Sequence, residues 1–194
     1  DPKLIVGADS SALLGDVIAE HSLKKVLIVT SAGIVKRGQL NGLISTLEKN
    51  SISSVIYSDI LPDPVFSNVT QGLDLYRKEG CDSIVAFGGG SSMDAAKIMA
   101  IAAANDCAPE KLVGFFKGWK KPVPFFAVPT TAGTGSESTI ASVVSDDDTH
   151  EKFFVVDSRT IPLAVTLDPV LMLSVPPALT AATGMDALTH AIEA

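Results

Sequence analysis

Short β-branched runs alternate with helix-period segments along most of the chain, and this alternation limits the folds open to it more than any other feature. The spans 4–6, 26–30, 54–57, 83–87 and 125–128 read as strands. Between them lie apolar stripes at helical spacing: Leu13, Leu14, Val17 and Ile18, then Leu40, Leu43, Ile44 and Leu47, then Val69, Leu73 and Tyr76. Asp9, Ser10 and Ser11 offer N-caps to the first helix. Strands separated by helices need crossover connections, so the expected sheet is mainly parallel with helices on both faces.

Two segments depart from this rhythm. In 142–156, two apolar runs flank Asp146-Asp147-Asp148, which predicts a hairpin with an acidic tip; a solvated turn is the simpler reading of the aspartates, calcium binding the other. After a last strand at 163–167, closed by Asp168-Pro169, the pair Pro176-Pro177 introduces a helical pattern with Leu179, Ala182, Leu188 and Ile192. The expected division is an α/β unit over 1–177 and the start of a helical unit over 178–194.

Composition excludes some classes of function. With 22 acidic against 15 basic residues and a net charge of -7, the chain is a poor partner for nucleic acid or an anionic membrane. The longest apolar run, 98–104, falls far short of the roughly 20 residues of a membrane span, and Asp1-Pro2-Lys3 does not open like a secretory leader. Cys81 and Cys107 form neither a disulfide framework nor a C-x-x-C pair, so a reducing, cytoplasmic compartment is expected.

Three constellations carry chemistry. Gly88-Gly89-Gly90-Ser91-Ser92 joins a strand to a helix, placing small residues where N–H groups and a positive helix end converge on a phosphate. A tight turn capped by Ser91 or Ser92 is the alternative, and the motif matches neither G-x-G-x-x-G nor a P-loop. Pro129-Thr130-Thr131-Ala132-Gly133-Thr134-Gly135-Ser136-Glu137 follows a buried strand and can line a polar ligand at the carboxyl edge of the sheet. Thr134 and Glu137 also stand at capping-box spacing, which predicts a helix start. Asp186 and His190, four apart on the last helix, project from one face and suit Fe(II) or Zn(II). An ordinary surface pair is the other reading.

In combination these residues resemble the iron-containing, metal-dependent alcohol dehydrogenases. The resemblance runs through Pro62-x-Pro64, Gly88-Gly89-Gly90-Ser91-x-x-Asp94, Pro129-Thr130-Thr131-Ala132-Gly133-Thr134-x-x-Glu137, and 176–194 with its Gly184-Met185-Asp186-Ala187-Leu188-Thr189-His190. It implies a Rossmann-like α/β domain with a β-hairpin insertion, followed by an all-helical domain, with NAD or NADP and a divalent metal, Fe2+ or Zn2+, in the cleft between them. By the same resemblance Gly89, Gly90 and Ser91 hold the pyrophosphate with Asp94 just inside the helix. Thr130, Thr131, Thr134 and Lys152 lie near the cofactor, and Asp186 and His190 ligate the metal.

Two departures matter. The family takes two further metal-binding histidines from downstream of this segment, so the 194 residues read as the cofactor-binding part of a longer polypeptide, inactive alone. Many members carry an acidic residue after the early strand to hold the adenosine ribose, where this chain has Ser31. The reaction implied is NAD(P)-dependent interconversion of a small alcohol and its aldehyde by a homo-oligomer. Alternatives are a glycerol dehydrogenase, a dehydroquinate synthase-like enzyme, or a non-catalytic dinucleotide-binding module.

Overall fold

The computed structural model describes residues 2–193. In chain order it contains β1 (Lys3–Val6), α1 (Leu14–Ala19), β2 (Lys25–Val29), α2 (Ala32–Lys36), α3 (Asn41–Lys49), β3 (Ser53–Tyr57), α4 (Phe66–Glu79) and β4 (Ser83–Gly88). Then follow α5 (Gly90–Asn105), β5 (Gly114–Phe115), β6 (Phe125–Pro129), β7 (Ala141–Ser145), β8 (Lys152–Val156), β9 (Ala164–Leu167) and α6 (Pro177–Glu193). The main sheet has the order β1-β9-β6-β4-β2-β3 and is parallel throughout, as the alternation of strands and helices requires.

The two faces of the sheet follow from the period-2 alternation of its strands. Val26, Ile28, Val85, Phe87, Phe126 and Val128 enter one core, covered by Leu14 and Ile18 of α1 and Leu43 and Leu47 of α3. Their neighbours Leu27, Val29, Ile84, Ala86, Phe125 and Ala127 enter the other, under Leu73 of α4 and Ile98 of α5. Strands covered on both sides read as unbroken apolar runs, and β4 and β6 are buried at every residue.

The hairpin insertion is β7 and β8, antiparallel with Ala141 opposite Val156, and β5 joins β8 to make a second sheet of three strands. β5 lies in the Gly-, Pro- and Lys-rich stretch 114–124, and its two residues are too few to show a period. Helix α5 runs between the two sheets and also packs on α4. Eleven of its sixteen residues are therefore buried, and a surface helix would bury about one face.

Three local expectations need correction, and the acidic tip takes the simpler of its two readings. The apolar stripe at Leu40–Leu47 is one helix only from Asn41, because Gly38, at φ +69°, turns the chain between α2 and α3. No side chain among Asp9, Ser10 and Ser11 caps the first helix, which opens as a 3-10 turn over Ser10–Leu13. The cap comes from Asp168, whose carboxylate accepts from the N–H groups of Asp9 and Ser11, both at 3.1 Å. Thr134 and Glu137 start no α-helix: the segment makes a single 3-10 turn, Ser136–Ser138, with Thr134 Oγ1 accepting from the Ser136 N–H at 3.3 Å. Finally, Asp146 spends one oxygen on the N–H groups of Asp148 and Thr149, and Asp147 accepts from the Ser67 N–H at the start of α4. The acidic tip is thus a self-bonded turn. No helix among the described residues is long and apolar enough to cross a membrane.

Candidate dinucleotide cleft and metal-ligating pair

The chain passes from β2 outward to β3 at one edge, then returns to place β4 on the other side of β2. Open parallel sheets bind ligands in the crevice at the carboxyl ends of strands where the order reverses in this way. Ser31 leaves the end of β2, Gly89 the end of β4, and Thr130 the end of the adjacent β6.

The turn after β4 is closed on itself and walled by the threonine-rich loop. A Cβ on Gly88 would overlap the Ser92 side chain; one on Gly89 would lie 3.1 Å from Thr131 Oγ1, and one on Gly90 3.1 Å from Thr134 Cγ2. Gly89 is the N-cap residue of α5 and no side chain caps that end, which removes the reading of Ser91 or Ser92 as a cap. The N–H groups of Ser92 and Met93 turn back on the Gly89 carbonyl at 3.1 and 3.2 Å. Those of Gly90 and Ser91 open the helix, where no preceding turn supplies carbonyls, and such groups attract an anion.

Two adjoining hollows meet at this turn. The larger, of about 510 Å³, is lined by Ser31, Gly89, Thr130 and Thr131, with Arg37 and Leu179 on its walls. The smaller, of about 280 Å³, includes Asp94, Lys152, Asp63 and Phe154. Gly90, Ser91 and Thr134 border both. All nine residues expected around the cofactor therefore line one or other of these two adjoining hollows. Lys152 Nζ is 3.0 Å from Asp63 Oδ1, which ties the hairpin to the Pro62-Asp63-Pro64 turn. Asp94 is engaged within the protein: Oδ1 accepts from Ser136 Oγ at 2.8 Å and Oδ2 from the Val143 N–H at 3.2 Å. Burial holds its carboxyl above the usual range, although Ser136, the Val143 N–H and Lys97 all pull it down. Its contribution to the cleft is to anchor the loop.

Helix α6 forms part of the cleft wall through Leu179 and Thr183. The approach is close enough to require glycine opposite: a Cβ on Gly133 would lie 2.8 Å from the Thr183 carbonyl oxygen. Positions 179, 183, 186 and 190 are spaced by four, three and four, so they form one stripe along a helix. Asp186 and His190 therefore continue the face that borders the cleft, with His190 Nε2 3.6 Å from Asp186 Oδ1. No cluster of three metal-ligating side chains exists among the described residues. The other histidines stand apart, His21 edge-on against Phe126 and His150 at the hairpin tip.

A model of the family described as iron-containing alcohol dehydrogenase matches residues 1–169. The chain belongs to the iron-containing alcohol dehydrogenase family. It is 44% identical over 177 residues to alcohol dehydrogenase 4 of Schizosaccharomyces pombe, an alignment covering 91% of this chain and 42% of that protein. Against the NAD-dependent methanol dehydrogenase of Bacillus methanolicus the identity is 37% over 193 residues, all of this chain and 51% of the relative. The crystal structure of a 1,3-propanediol oxidoreductase superposes with a TM-score of 0.94 at 38% identity, covering 98% of this chain and 50% of that one. The chain thus spans about half the length of these family members.

Sequence reasoning missed one group that supports the site and one that braces the fold around it. Lys97 has no exposed surface and holds the segment 136–141 from below, yet the only sequence signal is a lysine one turn after Asp94 inside an apolar helix. Asp168 reads from sequence as the end of a strand, and nothing local marks it as the cap for residues 157 positions earlier.

Proposed function

We propose that the whole protein is an NAD(P)-dependent alcohol dehydrogenase or aldehyde reductase, and that residues 1–177 supply its dinucleotide half. The observation that carries this reading is the turn Gly89-Gly90-Ser91 at the sheet's switch point, uncapped, free of side-chain bulk and open to both hollows. In this reading the N–H groups of Gly90 and Ser91 bind the pyrophosphate. Ser31 faces the adenosine ribose, Thr130, Thr131 and Thr134 line the path, and Lys152, steadied by Asp63, closes the smaller hollow. NAD dependence in the Bacillus methanolicus relative is consistent with this.

Asp186 and His190 offer a carboxylate and an imidazole, a donor pair that fits Fe2+ or Zn2+. Bound in the cleft, the dinucleotide supplies the hydride acceptor or donor, and the metal supplies Lewis-acid polarisation of a substrate oxygen. The chain's own residues orient the dinucleotide against the sheet edge and shield it along the threonine loop. We assign 178–194 to a separate helical unit because α6, although seventeen residues long, buries none of them and exposes Met185, Leu188 and Ile192. An apolar face of that kind is made to pack against other helices.

Ser31 and Arg37 together support acceptance of NADP. A neutral Ser31 does not repel a 2′-phosphate, and Arg37 shares the cleft wall with it. Its guanidinium lies over Gly33 and donates from Nε to Gln39 Oε1 at 3.2 Å. Lys36 borders neither hollow.

The test is calorimetric titration of the full-length protein with NAD+ and NADP+, together with metal analysis of wild type and His190→Ala. Binding of dinucleotide, and bound metal that is lost in the variant, are expected. A wild type that binds neither dinucleotide overturns the reading.

A further inference from the structure

Lys97 is an ammonium without exposed surface, and the buried neighbours on either side of it in α5, from Met93 to Ala102, are all Ala, Ile or Met. Burying a charge is costly unless it is fully hydrogen-bonded. The three N–H bonds of Nζ are shared among four acceptors: the Thr139 carbonyl at 2.8 Å, the Ala141 carbonyl and Thr139 Oγ1 at 3.1 Å, and Ser136 Oγ at 3.2 Å. Burial pulls Lys97 down to about 8 against the opposing attraction of Asp94 and Glu137.

All four acceptors lie in 136–141, the segment that connects the threonine-rich loop to β7. Asp94, one turn earlier on α5, grips Ser136 Oγ in the same segment and the Val143 N–H just beyond it in β7. Ser136 Oγ thus accepts from Lys97 and donates to Asp94, and both side chains leave α5 in the turns just behind Gly90 and Ser91. A methionine would fill the same space but would leave the Thr139 and Ala141 carbonyls without their donor and Asp94 without its neighbouring charge, and stranding buried polar groups in this way is destabilising. What only the ammonium supplies is a fixed path for 136–141, and with it the seat of Thr134 against Gly90.

We propose that Lys97 is a positioning residue for the dinucleotide site, pegging 136–141 to α5 so that the threonine loop stays closed over the Gly90–Ser91 turn. This rests on the reading of that turn as the pyrophosphate site.

The test compares Lys97→Met and Ser136→Ala with wild type in the full-length protein, reading NAD+ and NADP+ affinity by calorimetry and Tm by thermal melting. Lys97→Met is expected to lower Tm and, at a temperature where it is fully folded, to weaken the dinucleotide by about tenfold, whereas Asp168→Asn, a destabilised control away from both hollows, keeps wild-type affinity. Ser136→Ala, which cuts the bridge to Asp94, is expected to weaken it by about threefold and decides the matter if Lys97→Met does not fold. Unchanged affinity in a folded Lys97→Met or Ser136→Ala, or an equal loss of affinity in Asp168→Asn, overturns the proposal while leaving the proposed function intact. A wild type that binds neither dinucleotide removes both.

Discussion

Replacing Asp168 by asparagine tests how the two ends of the α/β unit are joined. The carboxylate is 1% exposed and is used four times: Oδ1 accepts from the N–H groups of Asp9 and Val170, each at 3.1 Å, and Oδ2 from the Ser11 N–H at 3.1 Å and Ser11 Oγ at 2.7 Å. Asparagine keeps the shape but offers one oxygen and one NH2. With the oxygen at the Oδ2 position, the NH2 confronts two backbone N–H groups that have no means of reversing. With the oxygen at Oδ1, the Ser11 hydroxyl can turn and accept, and only the Ser11 N–H is stranded. The second arrangement wins. It leaves one buried donor unpaired, at about 1–3 kcal/mol, and weakens the remaining bonds by removing their charge, for a total of about 2–4 kcal/mol. In a unit of this size that corresponds to a Tm lower by roughly 4–16 °C. Urea and thermal melts followed by circular dichroism measure it. Ser11→Ala should cost less, because it removes only the hydroxyl. An asparagine variant within about 0.5 kcal/mol of wild type would refute the claim that this carboxylate caps the first helix.

Gly90→Val should weaken dinucleotide binding by at least about tenfold without unfolding the protein, since its side chain stands where phosphate approaches the N–H groups and presses on Thr134; equal affinity by calorimetry counts against the site. Ser31→Asp should shift kcat/KM towards NAD(H), and Arg37→Ala should lower it for NADP(H) more than for NAD(H); a ratio unchanged in both variants removes these residues from selectivity. Burial pushes Asp157 up, but the Arg159 side chain and N–H outweigh it and hold the carboxyl below its usual range. Its stabilising effect is therefore complete above about pH 4 and lost as the pH falls through the lowered value. The stability advantage of wild type over Asp157→Asn should shrink on acidification, and parallel urea midpoints across that window would contradict this.

Local signals were sufficient where a residue's neighbours in sequence fix its surroundings. The buried strands β4 and β6 announce themselves because both faces of a parallel sheet are covered, so every position is apolar. The turn at Gly88-Gly89-Gly90-Ser91 and the pair Asp186 and His190 are legible for the same reason: a strand-to-helix junction and an i,i+4 spacing are properties of a few consecutive residues. The structure decided whatever depends on partners far along the chain. Thr134 and Glu137 have capping-box spacing but make only a 3-10 turn, because Lys97 and Asp94 claim the following segment from another element. Asp9 and Ser11 look like caps yet are themselves held by Asp168. Position 37 is an ordinary basic residue in sequence, and only the reversal of strand order between β2 and β4 opens the crevice whose wall it joins. A buried charge is stable only with specific distant acceptors, and periodicity encodes which face is buried but not which atoms will meet there.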